Sequence, residues 1–271
     1  MKIGVQLYSV RDYAEKDFAR TMSELKKMGY DGVELAGGYG LDAAFIRKTL
    51  DECGLEGISA HVQLSEMYNK PEETFTYYQT IGCRYIAVPW MGEEGRPSGS
   101  KFQQTLEQLR VVGAEAKKYG IQLLYHNHDF EFVKCDGKYG LDVMYETVPA
   151  DLLQTEIDTC WVNIAGVNPA AYVLKYTGRA PLVHLKDFHK KDGAARDGLY
   201  ELIGINKKAA ATKDFEFRAV GHGMQDIPAI VDAAEQAGAS WLIVELDRTS
   251  QGLTSMESID ISRKYLRSIN L

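Results

Sequence analysis

The sequence is short of cysteine, of basic charge and of long apolar runs. Its four cysteines, Cys53, Cys83, Cys135 and Cys160, are scattered and form no C-x-x-C pair. Neither a zinc ribbon nor a disulfide framework is therefore expected. The 31 basic residues are outnumbered by 38 acidic ones, a formal net charge of -7. Such a surface offers no broad attraction to nucleic acid or to anionic lipid, so neither is an expected partner. A homo-oligomer is compatible with this composition. No apolar run reaches the roughly 20 residues of a membrane helix. The opening stretch MKIGVQLYSVRDY is broken by Gln6, Arg11 and Asp12, unlike a signal peptide. These absences point to a cytoplasmic protein. Also missing are a G-x-G-x-x-G turn after the first apolar run and a Walker motif, which leans against a dinucleotide-binding open sheet and towards an unphosphorylated substrate.

What is present is a regular alternation. Its 271 residues, 45% apolar and 25% charged, suit one soluble domain spanning 1–271. Strand-like runs are expected at Ile3–Tyr8, Tyr30–Leu35, Leu55–His61, Tyr85–Pro89, Ile121–His126, Leu153–Asp158, Pro181–Lys186 and Trp241–Leu246. Between them lie amphipathic runs, several stopping at a glycine such as Gly29, Gly54, Gly82 or Gly120. Eight such units in one chain predict an α/β fold, a single-domain (βα)8 TIM barrel. Two connections look unusually long, Val62–Lys70 and Phe188–Val220, and the second is expected to carry a short helix near Ile203–Ala211.

The chemistry gathers at the strand ends. His61, His126, His128 and His184 fall there, and His189 and His222 lie in the loops that follow. In a barrel those ends share one mouth. Asp158 ends the sixth strand, His184 lies near the end of the seventh and Glu245 near the end of the eighth. A charged group in an apolar strand is costly unless it is paired or metal-bound. Side-chain alternation puts Glu156 with Asp158, His184 with Lys186, and Glu245 with Asp247 on common faces. Two carboxylates and an imidazole suit one divalent metal ion, Mn2+, Mg2+, Co2+, Fe2+ or Zn2+. The competing reading for Asp158 and Glu245 is a salt bridge with a lysine at the barrel end. The fifth strand should add a fourth ligand from Tyr125-His126-Asn127-His128-Asp129-Phe130-Glu131-Phe132. Glu131 is favoured there, although its parity requires the strand to bulge or end early, and His126 is the close alternative.

These stretches, with Glu156-Ile157-Asp158-Thr159-Cys160-Trp161-Val162, His184-Leu185-Lys186-Asp187 and Val244-Glu245-Leu246-Asp247, resemble the xylose isomerase-like barrel superfamily and its sugar phosphate isomerase/epimerase group. The resemblance covers nearly the whole chain. It implies metal ligands at Asp158, His184 and Glu245 plus one from the fifth strand. In many relatives that ligand is a Glu at the strand end, where this chain has His126. Relatives also often carry Gly-Glu-Gly where this chain has Gly221-His222-Gly223, which makes His222 a candidate substrate contact.

The expected reaction on a small-molecule carbohydrate is proton abstraction next to the carbonyl of a keto-sugar, through a metal-stabilised enediolate. Glu131, His126 and Glu245 are the candidate acid/base groups, and Lys186 adds positive charge or pairs with Asp187. Glu34, His61, His128 and Trp161 are further candidate substrate contacts, with core packing the rival role for Trp161 and Trp90. The same enediolate can expel a leaving group, so a keto-sugar lyase or hydrolase is the nearest alternative, resembling inosose dehydratase or 3-keto-glycoside cleavage. An endonuclease of this barrel type would need a basic face and more metal ligands. A sugar-binding protein without turnover is the alternative of another class.

Overall fold

The computed structural model describes residues 1–191 and 214–271. Two early helices begin at a side-chain cap and stop where glycine permits a left-handed turn. Asp17 accepts from the Arg20 N–H ahead of helix Phe18–Met28, which ends at Gly29 with φ 90°. Asp42 caps helix Ala43–Cys53, which ends at Gly54 with φ 68°. A residue with a Cβ would be strained at either stop.

Between these helices run eight strands: Lys2–Gln6, Gly32–Ala36, Glu56–His61, Tyr85–Val88, Gln122–His126, Gln154–Asp158, Leu182–Leu185 and Trp241–Val244. All neighbours are parallel, and the eighth strand pairs with both the seventh and the first, closing the barrel. The expected fold is thus observed, with strand boundaries differing by a residue or two. No described helix is long and apolar enough to cross a membrane.

Inside the barrel the side chains change character with height. The floor is an apolar plug that includes Ile58, Leu124, Leu182, Trp241 and Ile243. Gly4 leaves room for it, because a Cβ there would stand 2.5 Å from the Ile58 side chain and 2.7 Å from that of Ile243. Two residues further along their strands, the same interior rows present His126, His184 and Glu245. In the third strand a register shift lets two successive residues serve the interior. Ile58 joins the floor, while Ser59 donates to Glu34.

Among the described residues, both connections expected as long loops carry regular structure. Val62–Lys70 holds helix Leu64–Asn69. The segment after the seventh strand opens and closes as an antiparallel ribbon, Asp187–Lys190 with Phe215–Arg218. Phe188, Phe215 and Phe217 alternate with polar residues, and all three pack with Trp161 and Leu246 in a satellite core. This period of two lies at the edges of a lysine-rich stretch that reads as loop. The short helix expected near Ile203–Ala211 lies outside the described residues.

Candidate active site

Latches between neighbouring strand ends set the mouth. The Asn127 amide straddles the top of the sixth strand, its Oδ1 accepting from the Asp158 N–H at 3.1 Å and its Nδ2 donating to the Asp158 carbonyl at 3.2 Å. Thr159 Oγ1 donates to the His184 carbonyl at 2.7 Å. These bonds hold His126, Asp158 and His184 on adjoining strands at one level. Nothing in the sequence pattern singled out Asn127, but its place between two histidines is the signal.

His126, Asp158, His184 and Glu245 each turn one ligand atom to a common centre, all within 4.8 Å of one another, and all four are buried. His126 Nε2 stands 3.8 Å from Asp158 Oδ2 and 4.0 Å from Glu245 Oε2. His184 Nδ1 is 3.1 Å from Glu245 Oε2. Donors about 2.1 Å from one ion stand roughly 3 to 4 Å apart, so these spacings fit a divalent metal. Asp158 is divided in a way that suits such an ion. Its Oδ1 accepts from the Trp161 N–H at 3.0 Å, while its buried Oδ2 accepts no hydrogen bond. Burial pushes the His126 imidazole down to about 4, so it is neutral at physiological pH, as ligation requires.

The structure brings His126, not Glu131, to this group. The fifth strand ends at His126, and the chain turns through a 3-10 turn, Phe130–Phe132. Glu131 folds back beneath His128. Its Oε1 accepts from the Tyr125 hydroxyl at 2.7 Å and its Oε2 from the His128 N–H at 2.8 Å. Burial raises its carboxyl from 4.5 to about 8 despite those bonds. The folded protein therefore keeps a proton that the unfolded chain loses, and stability falls as pH rises from about 4.5 to about 8. Glu131→Gln, which stays neutral, should remove that decline, worth on the order of a few kcal/mol. Thermal unfolding of both proteins from pH 5 to 9 checks it: parallel curves would refute the role of Glu131.

Lys186 is fully buried among carboxylates. Its Nζ is 3.0 Å from Glu245 Oε2 and 3.3 Å from Asp158 Oδ2, and it also pairs with Asp247. Burial works against its charge, but Asp247, Glu245 and Asp158 raise its pKa well above the usual lysine range. It does not pair with Asp187. That carboxylate instead accepts from the N–H groups of Phe188, Gly221, Gly223 and Gln225, fixing the base of the ribbon.

Above the group opens a pocket of about 420 Å³, lined by His61, His126, His128, Lys186, Glu245 and Trp90, and also by Tyr8, Gln63, Glu66 and Asp247. The last four were not among the expected contacts. Glu34 is buried below the pocket, where Gln6 donates to it at 2.7 Å. Trp161 lies in the satellite core, 5.4 Å from the Lys186 ammonium. His222 is exposed beside Tyr265, ring centroids 6.3 Å apart, and does not line the pocket.

Residues 22–269 match the family model described as xylose isomerase-like TIM barrel. The chain belongs to this family.

Among xylose isomerase-like relatives, an inosose dehydratase from Clostridium perfringens is 25% identical, the match covering 93% of this chain and 90% of that protein. A crystal structure titled sugar phosphate isomerase/epimerase, from Parabacteroides distasonis, aligns with a TM-score of 0.76 at 22% identity, covering 99% of this chain and 94% of that one. The IolI protein with a bound zinc atom aligns at 0.70 and 16% identity over 99% and 98% of the two chains. At these identities the solved structures establish the shared barrel.

Proposed function

We propose that this chain is a divalent-metal-dependent sugar isomerase or epimerase that removes a proton next to the carbonyl of a keto-sugar. The observation that carries the reading is the convergence of His126, Asp158, His184 and Glu245 on one centre, with His126 and Glu245 also lining an open pocket. These four would hold the ion, and the zinc of the IolI protein supports a metal of this class. When bound, the ion supplies Lewis-acid polarisation of the carbonyl oxygen.

The chain's own groups supply the rest. Burial opposes ionisation of Glu245, but Lys186 and His184 outweigh it and hold its carboxyl well below the usual range. As a pocket-lining carboxylate, Glu245 takes the proton. The Lys186 ammonium favours the negative charge that develops on the substrate oxygens. His61 and His128 in the pocket wall bind hydroxyls, and the Trp90 ring offers an apolar edge to the sugar. Glu131 stands outside the pocket lining, so its part is to brace His128.

The dehydratase name of the Clostridium perfringens relative favours a second reading, in which the same proton removal is followed by loss of water. Incubation in D2O with an inosose and with a panel of ketohexoses tests both. Deuterium next to the carbonyl of an otherwise intact sugar is expected, and a product lighter by water would decide for elimination. No exchange and no product with any of them, by metal-loaded enzyme, would overturn the proposal.

A further inference from the structure

Beneath the proposed metal group sits a carboxylate it does not use. Glu156 is buried two residues before Asp158 on the same face of the sixth strand. Its Oε1 meets three imidazoles: His61 Nε2 at 2.6 Å, His126 Nδ1 at 3.1 Å and His184 Nε2 at 3.2 Å. Glu34, anchored by Gln6 and Ser59, sets its Oε1 2.8 Å from the same His184 Nε2.

We propose that Glu156 is a positioning residue that sets the tautomer of His126 in the metal group and, with Glu34, biases that of His184; this rests on the metal reading above. A neutral imidazole carries one N–H. A carboxylate at Nδ1 of His126 draws the proton there and leaves the Nε2 lone pair facing Asp158 and Glu245. At His184 the carboxylates of Glu34 and Glu156 approach Nε2 at 2.8 and 3.2 Å without hydrogen-bond geometry, while Nδ1 meets Glu245 Oε2 at 3.1 Å; their two charges favour a proton on the Nε2 side. Glu156 thus fixes the His126 tautomer by a direct bond and biases His184 by charge, so that His126 Nε2 and His184 Nδ1 are the nitrogens turned to the common centre. The side chains of His61, His126, Glu156 and His184 are also close enough together to suggest a second ion. The direct contacts decide against it. His61 Nε2 bonds Glu156 directly at 2.6 Å, closer than two donors on one ion would stand, and His126 also bonds Glu156 through the nitrogen a second ion would need.

Cobalt(II) titration of the full chain tests this. Glu156→Gln keeps the shape but loses the negative charge, leaving a neutral amide oxygen that holds the imidazole protons less strongly. Its Co2+ affinity should fall about 10- to 100-fold, with a changed visible spectrum for the ion it still binds. Glu34→Gln should lower the affinity by less, and it reads the same effect should Glu156→Gln not fold. Wild-type affinity and spectrum in the folded variants would overturn the positioning role and leave the metal reading intact. A wild-type protein that takes up no Co2+ overturns both.

Discussion

Asp158→Ala and Glu245→Ala proteins should each purify with about a tenth or less of the divalent metal carried by the wild type, because either change removes a charged donor from a group of four. Asp158 makes the sharper case. Its Oδ1 is spent on the Trp161 N–H, but its buried Oδ2 accepts no hydrogen bond; the Lys186 ammonium lies 3.3 Å from it and His126 Nε2 3.8 Å. The expected lysine salt bridge is therefore present, but one ammonium shared among Asp158, Glu245 and Asp247 meets this oxygen's charge only in part, which leaves room for a second cation. His222→Ala is the control, since that ring is exposed beside Tyr265 and should leave the metal content unchanged. The same geometry fixes a pH dependence. Burial raises the Asp158 carboxyl to about 7. For His184 burial lowers the pKa, but Glu156, Glu34 and Glu245 outweigh it and raise it well above the ordinary imidazole value. In the metal-free protein both groups hold protons that an ion must displace, so Mn2+ affinity should drop as pH falls through about 7. Metal content by elemental analysis and Mn2+ titration at pH 6 and pH 8 measure this. Full occupancy in Asp158→Ala, or a flat pH profile, would remove Asp158 from the site.

The barrel was legible because its grammar is local. Glycine stops such as Gly29 and Gly54 and apolar runs such as Leu242-Ile243-Val244 report the strand and helix alternation directly. The histidines and carboxylates were legible for a related reason: an ionisable residue closing an apolar strand has few structural uses. Parity also paired Glu156 with Asp158 and Lys186 with His184, and the structure buries all four. Other features depended on what the chain does after a strand ends. The 3-10 turn at Phe130–Phe132 carries Glu131 back under His128, a reversal that no residue period announces. Asp187 follows Lys186 directly, yet it faces four backbone N–H groups of the ribbon, because successive strand residues point to opposite sides. His222 sits between glycines, where sequence spacing says nothing about direction.

Lys186→Met should destabilise the metal-free protein by about 3–5 kcal/mol at pH 8, the usual cost of removing one partner from a buried ion network. The ammonium is the only side-chain cation ion-paired with Asp158, Glu245 and Asp247 among the described residues, apart from histidines. Methionine fills similar volume, so the loss is one of charge rather than of packing. In a chain of this size, that cost lowers the unfolding midpoint by about 5–10 °C. Two features separate this from a general weakening. Mn2+ should restore more stability to the variant than to the wild type, because a dication at the four-residue group neutralises carboxylates that no longer face an ammonium. The variant's deficit should also shrink as pH falls towards 5. There the freed carboxylates take up protons more readily than in the wild type, where Lys186 keeps Glu245 ionised and holds down the raised Asp158 and Asp247. On the proposed reaction, losing the charge beside the substrate oxygens should cost about 100-fold in kcat, more than any change in KM. Unfolding curves with and without Mn2+ at pH 5 and pH 8, with turnover under saturating metal, carry the test. A Lys186→Met protein as stable as wild type at pH 8 without metal would mean that the three carboxylates share protons among themselves and that the ammonium is not what allows their burial.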